Sequence, residues 1–561
     1  MLASGVVYFL ETHVSWSSIA ASCALVCIVS ACYVVWSLLH VPYDQGIPAV
    51  GIPKGILGRA KAVYDSIAHG DVPIAEGYRS VSSEPFKAAT EALTVAQWQH
   101  NKSGQIFRVP SLMDSFSFVY VIPSPLIPQY NAAPEERVSF TSGLEHLDLT
   151  PYTLLSHRFT QSPLHLGALR STLSGGREVE VLADEVATSF TTSWKFPSQW
   201  TTIPNLYYSL LDIITRDVNR AYVGAEFCRN RDYIETIIDF TPEVVRCRTI
   251  LRLIPGFLRP IVSPYVLRHN RARRDKIHSI LGDEIKKRKS MLGSKDSSKP
   301  TDLLQALIVE ANKSPQSTAE SDPKMLVTRL LALNFVGNRT ASVAFTHAIW
   351  SLLHCESQGL GYWNAMREEV ENIFASDDSD EINESKKHYQ AQGARWMRWN
   401  KTHTAQMGLV ESFLKESLRY NTDTNLECKR MIVDPEGYRF KNGMNLKRGT
   451  VSAVPIWQIH HDPDLYPEPE DFDARRFLQG DGGAQGRKVG MQTTSEYFLA
   501  FGVGKHACPG RFFASQHLKL LLAFILLNYD IQPVSRPEDE WYGSSHMPNM
   551  AAGLTIRARQ D

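Results

Sequence analysis

Phe501-Gly502-Val503-Gly504-Lys505-His506-Ala507-Cys508-Pro509-Gly510 cannot belong to a regular helix or strand. Three glycines and a proline in ten residues mark an irregular loop whose backbone passes close to something. Directly after Gly510, Arg511-Phe512-Phe513-Ala514-Ser515-Gln516-His517-Leu518-Lys519-Leu520 takes up a helical pattern. Cys508 is therefore presented just before a helix N-terminus, where amide donors and the helix dipole favour a thiolate over a thiol. Such donors are needed, because an unscreened anion in a buried pocket is costly. Gly502 and Gly504 leave room for a flat group to rest against the loop.

The remaining cysteines direct attention back to Cys508. Eight cysteines in 561 residues make no disulfide framework, and no CxxC pair occurs. Cys23, Cys27 and Cys32 lie in an apolar N-terminal segment as small hydrophobes, and Cys228, Cys247, Cys355 and Cys428 are widely spaced. A metal bound through Cys508 alone needs its other ligands elsewhere, and a porphyrin supplies four. The loop resembles the haem-binding loop of the cytochrome P450 family, Phe-x-x-Gly-x-(Arg or His)-x-Cys-x-Gly. Phe501, Gly504, His506, Cys508 and Gly510 all fall in place. The resemblance implies a mainly α fold with small β-sheets, haem b as cofactor and Cys508 as the axial iron ligand. It also implies that His506 holds a haem propionate.

Two further elements extend the resemblance. Glu416-Ser417-Leu418-Arg419 lies in an amphipathic helical pattern with Phe413, Leu414 and Leu418 on its apolar face, and is similar to the family's Glu-x-x-Arg element. Phe472-Asp473-Ala474-Arg475-Arg476-Phe477 matches the downstream partner, with Ala474 in place of the usual proline. By similarity Glu416, Arg419 and Arg476 form a structural triad that braces the meander beside the cysteine loop. Arginine suits this role because its planar fork can hold a carboxylate while donating to carbonyls.

The longest apolar helical pattern runs from Met325 to His354, about 45 Å if regular. At its centre stand Gly337, Arg339 and Thr340. In the family this helix crosses the distal haem face with a small residue, an acid and a threonine. The resemblance therefore makes Gly337, Thr340 and Arg339 the expected catalytic group, with Gly337 opening the helix and Thr340 stabilising bound oxygen and relaying protons. Arg339 departs from the pattern. It stays charged and cannot exchange protons near neutrality, so proton delivery falls to water, a substrate group or another side chain. The same guanidinium could pair with an acid, bind an anionic substrate group or point to solvent. Phe335 to Ser342 resembles a variant found in fungal secondary-metabolism members, as does Thr346-His347. Val454, Pro455 and Ile456, together with Met547 and Met550, resemble segments that line the family's substrate pocket.

Ser17 to Leu39 carries no charge over 23 residues, enough for a helix of about 34 Å, which covers a bilayer core. Trp16 and Trp36 lie near its ends, and Lys54, Arg59 and Lys61 follow on the C-terminal side. This predicts a short luminal N-terminus (1–16), a transmembrane anchor (17–41), a proline-containing linker (42–60) and a haem-binding catalytic domain (61–561) facing the cytosol from the endoplasmic reticulum. The cytosolic side also keeps the sequons at Asn101 and Asn338 from the glycosylating machinery.

Elsewhere the pattern predicts helices at 205–220, 242–256, 273–291, 302–312, 325–354, 362–375, 405–420 and 511–528. Asn442-Gly443 marks a hairpin within Tyr438–Leu446, and Val451 to Trp457 reads as a strand. Ser376–Gln390 and Gln479–Ser495 read as polar surface loops. Lysine and arginine balance aspartate and glutamate at 59 each, with no basic stripe that would favour nucleic acid.

The function implied by the resemblance is a monooxygenase that oxidises an apolar small molecule with O₂ and NADPH-derived electrons. NADPH-cytochrome P450 reductase is the expected partner, cytochrome b5 a second electron donor, and the lipid bilayer the setting. A fungal terpenoid, polyketide or mixed secondary metabolite is the expected substrate class, with sterol or fatty-acid oxidation as alternatives. Different in kind are a reductase-independent haem-thiolate isomerase or lyase, and a non-enzymatic haem carrier or sensor.

Overall fold

Asp322-Pro323 is a strong helix start, since aspartate caps free amides and proline loses nothing at the first position. In the computed structural model Asp322 Oδ1 accepts from the N–H groups of Lys324 and Met325 at 2.9 and 3.2 Å. The helix it opens is the longest among the described residues, Pro323–Ser357. The structure describes residues 24, 26–33, 47, 104–111, 117–173, 176–293, 300–478, 490–542 and 545–560.

Helices dominate, as the pattern predicts. The long helix packs against Leu206–Val223, Arg268–Ser290 and Gly408–Tyr420, and the helix after the cysteine loop, Arg511–Asn528, lies in the same core. A small five-stranded sheet stands to one side, in the order Phe107–Ser111, Ser117–Val121, Val451–Val454, Glu427–Ile432, Val138–Ser139. Its only parallel pair joins Val119 to Val451 and Val121 to Ala453. Thr201–Ile203, Leu554–Ala558 and Tyr529–Ile531 form a second, three-stranded sheet. The expected hairpin pairs Tyr438 with Leu446 and Arg439 with Asn445, and Gly443 takes the positive φ of 87° that its turn requires.

Two expectations are corrected. The strand from Val451 ends at Val454, and Ile456–His460 is a short helix whose five residues are all buried. An apolar run this short reads the same either way, and Pro455 ends the strand by removing a ladder donor. The charged stretch at 376–390 is a helix over Asp380–Gln390, which buries Ile382 and Tyr389 and pairs Glu381 with Arg398 at 2.6 Å. Two apolar residues seven apart sufficed for a buried face. Much of the polar stretch at 479–495 lies outside the described residues.

The predicted membrane anchor and linker also lie largely outside the described residues. Within them, Ala24 and residues 26–33 are helical, and no described helix is long and apolar enough to cross a membrane.

Candidate active site

The cysteine loop is held open by its own backbone. Gly502 N–H donates to Leu499 O at 2.7 Å, and Cys508 N–H to Phe501 O at 2.8 Å. Gly502 and Gly504 have φ of 66° and 67°, which only glycine adopts without strain. At Gly504 a Cβ would also stand 2.5 Å from Asn131 Nδ2. Lys505 ties the loop down by donating to Ala133 O at 2.8 Å. Cys508 lies partly exposed immediately before Arg511–Asn528. Burial raises its pKa, while the N–H groups of Gly510 and Arg511 and the Arg511 charge pull it down.

Glu416, Arg419 and Arg476 come together as the sequence predicts. Arg419 donates to both Glu416 oxygens at 2.8 Å, to His460 O at 2.7 Å and to Pro469 O at 2.9 Å. Arg476 reaches the same carboxylate at 3.1 Å and three backbone oxygens, those of Pro467, Glu468 and Asp471. Glu416 and Arg419 are fully buried. Their charges are tolerable only because the donors are spent on an opposite charge or a carbonyl.

His460, whose role the sequence does not reveal, carries this brace to the cysteine loop. Its carbonyl takes Arg419, and its Nε2 accepts the N–H of Leu499 at 2.9 Å. Phe498 stacks on its ring at 5.4 Å. Nε2 must therefore be the unprotonated nitrogen, and burial, helped by the His461 and Arg419 charges, holds the imidazole well below its ordinary pKa.

The long helix is less covered along one stretch. It is buried over Leu326–Asn334 and almost entirely from Ser342 to Leu353, yet Val336 is 47% exposed and Thr340 is exposed. Tyr222 links this stretch to the cysteine loop. Its hydroxyl lies 3.4 Å from where a Gly337 Cβ would stand, and burial together with the Cys508 charge raises its pKa. Thr340 Oγ1 donates back to Val336 O at 3.0 Å or Gly337 O at 3.3 Å, leaving lone pairs directed outward. Arg339 Nη2 lies 2.9 Å from the sulfur of Met547, which packs with Tyr207, Val343 and Met550. Asn338 is buried within the helix.

Of the other expected lining residues, Val454 and Ile456 belong to the apolar core beside the sheet, and Pro455 is buried between them. Met547 is held near the long helix by a clasp. Arg536 donates to Asp539 and His347 at 2.8 and 2.7 Å, and His546 lies 3.0 Å from Asp539. His347, Asp539 and His546 are close enough to hold a metal ion, but Arg536 already places a positive charge among them.

The residues present fit a haem. A sulfur on a glycine loop, near the partly uncovered helix stretch that carries Val336 and Gly337, suits a flat, apolar ring held through one thiolate. Two cationic or polar groups suit its carboxylates. Arg430 is buried in its strand and donates to Tyr130 O and Asn131 Oδ1 at 2.6 and 2.8 Å, with its Nε lacking an acceptor among the described residues. His506 stacks on Phe140 at 4.8 Å, and its Nε2 lies 3.2 Å from Glu135. Despite burial, contacts from His506, Thr141, Ser139 and Phe140 hold the Glu135 carboxyl far below its ordinary range. Arg430 has no sequence signature beyond a charge in a strand, and Glu135 none beyond an acid near a helix start.

A helical domain that presents one cysteine from a glycine loop, braced by a buried Glu-Arg-Arg triad, defines a haem-thiolate protein. The comparisons agree. The family model for cytochrome P450 matches residues 164–549. Cytochrome P450 monooxygenase gloP of Glarea lozoyensis is 29% identical, over 78% of this chain and 80% of its own. Cytochrome P450 monooxygenase avaH of Aspergillus versicolor is 28% identical over 82% and 94%, and cytochrome P450 monooxygenase 103 of Postia placenta 28% over 96% and 98%. The chain belongs to the cytochrome P450 family and is a monooxygenase.

The family cofactor is haem, which supplies oxygen binding and activation when bound through the cysteine thiolate. What the chain adds follows from its own residues. Cys508 offers the thiolate, which the neighbouring Gly510 and Arg511 amides and the Arg511 charge favour. The triad and His460 fix the loop that carries it. Thr340 can accept a hydrogen bond as it stands, and donates one outward once its hydroxyl rotates away from the helix carbonyls.

Proposed function

We propose that this P450 oxidises an apolar secondary metabolite of the terpenoid, polyketide or mixed class, using electrons from an NADPH-dependent membrane reductase. The observation that carries the reading is Cys508 on its glycine loop, with the exposed Val336 and Thr340 on the neighbouring long helix. The named fungal monooxygenases among its relatives support it. So does the apolar character of Tyr207, Val343, Met547 and Met550 next to that stretch.

The reading includes an anchor at 17–41 in the endoplasmic reticulum membrane, with the catalytic domain in the cytosol. In its support, Phe257, Ile261 and Tyr265 are 73%, 72% and 69% exposed on one segment, beside Arg259 and Arg268. Exposed apolar side chains flanked by arginines suit a lipid interface. Lys505 and Phe512, exposed at the cysteine loop, suit a docked reductase. In the same reading His506 and Arg430 hold the haem carboxylates, and Thr340 manages protons at bound oxygen.

The deciding experiment is the absorption spectrum of the reduced, carbonyl-bound protein. A thiolate ligand gives a red-shifted Soret band, and Cys508→Ser abolishes it together with turnover. An intact haem-loaded protein without the band would falsify the assignment. Product formation without NADPH and reductase would instead favour an isomerase or lyase. Haem titration of His506→Ala should show weaker retention with the thiolate band preserved; unchanged affinity would leave His506 as a loop residue bound to Glu135.

A further inference from the structure

The interior arginines of this protein commonly take carboxylates. Arg329 holds Glu320 at 2.7 Å, Arg288 holds Asp302 and Glu284 at 2.5 and 2.7 Å, and Arg367 holds Asp530 at 3.2 Å. Arg339 does not. Its one hydrogen bond among the described residues goes to the Met547 thioether, a weak acceptor, and no described carboxylate pairs with it. A guanidinium has five N–H donors, so most of its hydrogen-bonding capacity is unspent.

Nor is Arg339 a solvated surface side chain. It is partly buried, and it stands against Met547 and near Tyr207, which are 3% and 5% exposed. Burial raises the Tyr207 pKa and the nearby Arg339 charge pulls it down, which places the phenol within electrostatic reach of the guanidinium. Met547 itself is fixed, because the antiparallel pair that carries it, Glu540–Tyr542 with Ser545–Met547, is a C-terminal hairpin clasped to the long helix through Arg536, Asp539, His546 and His347. A cation held at an apolar wall without a counter-charge is destabilising unless a ligand supplies one. It also neighbours Thr340 on the bare stretch, where substrate would lie.

We propose that Arg339 recognises a carboxylate on the substrate, so that the pocket selects an apolar body carrying an anionic head. This rests on the monooxygenase reading above and narrows its substrate class. The planar fork can take both carboxylate oxygens, and the acid is held through Arg339 beside the position where Thr340 acts. The residue is a specificity determinant and takes no part in proton transfer.

A matched pair of probes tests it, dodecanoic acid and dodecanamide, which differ in charge at one end. Each is titrated into the haem-loaded full chain, with the spin-state shift of the Soret band and the rise in melting temperature as independent readouts. Wild-type protein should bind the acid at least tenfold more tightly than the amide, with the preference weakening as salt rises. Arg339→Gln should bring the two affinities together by weakening the acid alone, and Arg339→Lys should keep part of the preference. A wild type that binds the two alike or binds neither, or an Arg339→Gln variant that keeps the preference, overturns the proposal. The reduced carbonyl spectrum and reductase-dependent turnover, recorded on the same preparations, separate this failure from failure of the monooxygenase reading.

Discussion

Arg419 and Arg339 both project from helices packed in one core, yet their surroundings are opposite. Arg419 is fully buried, with Glu416, the His460 carbonyl and the Pro469 carbonyl around it. Arg339 meets a thioether sulfur, and its neighbour Thr340, among the described residues, bonds only to its own helix. The difference separates two kinds of polar chemistry. Where hydrogen bonds are complete, polar groups set the shape of the cysteine loop. Where they are left incomplete, the same residue types remain available to a ligand. If that division is right, substitutions on the braced side should cost stability, and those on the bare side should cost chemistry or selectivity.

Glu416→Ala should give the largest effect. It leaves two guanidiniums without their shared carboxylate, a loss of about 3–5 kcal/mol for a broken buried pair. Little folded, haem-retaining protein should be recovered, and its denaturant midpoint should fall sharply. A variant of near wild-type stability would mean that the triad is not the brace. Arg476→Lys should cost less, about 1–3 kcal/mol, because the ammonium keeps the charge but not the fork that serves three carbonyls and Glu416 together. The same denaturation measurement ranks the pair.

Acid should cost stability as well. Burial and neighbouring positive charge hold His460 well below its ordinary pKa, and His461 falls to about 3 for the same reasons. Burial also lowers His347 well below its ordinary value and His165 to about 3. Each binds its proton more readily when unfolded, so its contribution is present above the unfolded value near 6.5 and is lost as pH falls below it. At pH 5.5 the loss is about 1.4 kcal/mol per histidine. Denaturation midpoints between pH 7.5 and 5.5 should show this slope. His460→Gln should lower stability at pH 7.5 and make the slope shallower by one histidine's share; an unchanged slope would show that His460 takes up its proton alike in the folded and unfolded chain, against a depressed pKa.

Thr340→Val should barely alter stability, within about 0.5 kcal/mol for an exposed site. Its effect belongs in coupling, the ratio of product to NADPH consumed, with the shortfall appearing as peroxide or water. A tenfold drop in productive flux needs only about 1.4 kcal/mol at the partitioning barrier. Full coupling with the same product would remove Thr340 from proton management. Combining it with Arg339→Gln sharpens the test, because independent roles predict additive effects and a shared network does not.

Short-range pattern located the irregular cysteine loop and the helix Arg511–Asn528 to the residue, and the resemblance to a known family picked out the Glu416–Arg419 pair on one helix turn. In each, the interacting groups are neighbours in sequence, or the backbone demands glycine wherever the chain is read. The same locality misled at Val454–Trp457 and at 380–390, where a short apolar run and a sparse one carry too few residues to show their period. Tertiary structure decided the rest. His460 acquires a role only when Leu499 is folded onto its ring, Arg430 only when its strand lies over Asn131, and Arg339 only when a clasped C-terminal hairpin brings Met547 against it. Which donors are spent and which are left over depends on the partners that folding delivers from distant parts of the chain. A side chain's residue type fixes how many hydrogen bonds it can make, but only packing determines how many it has made.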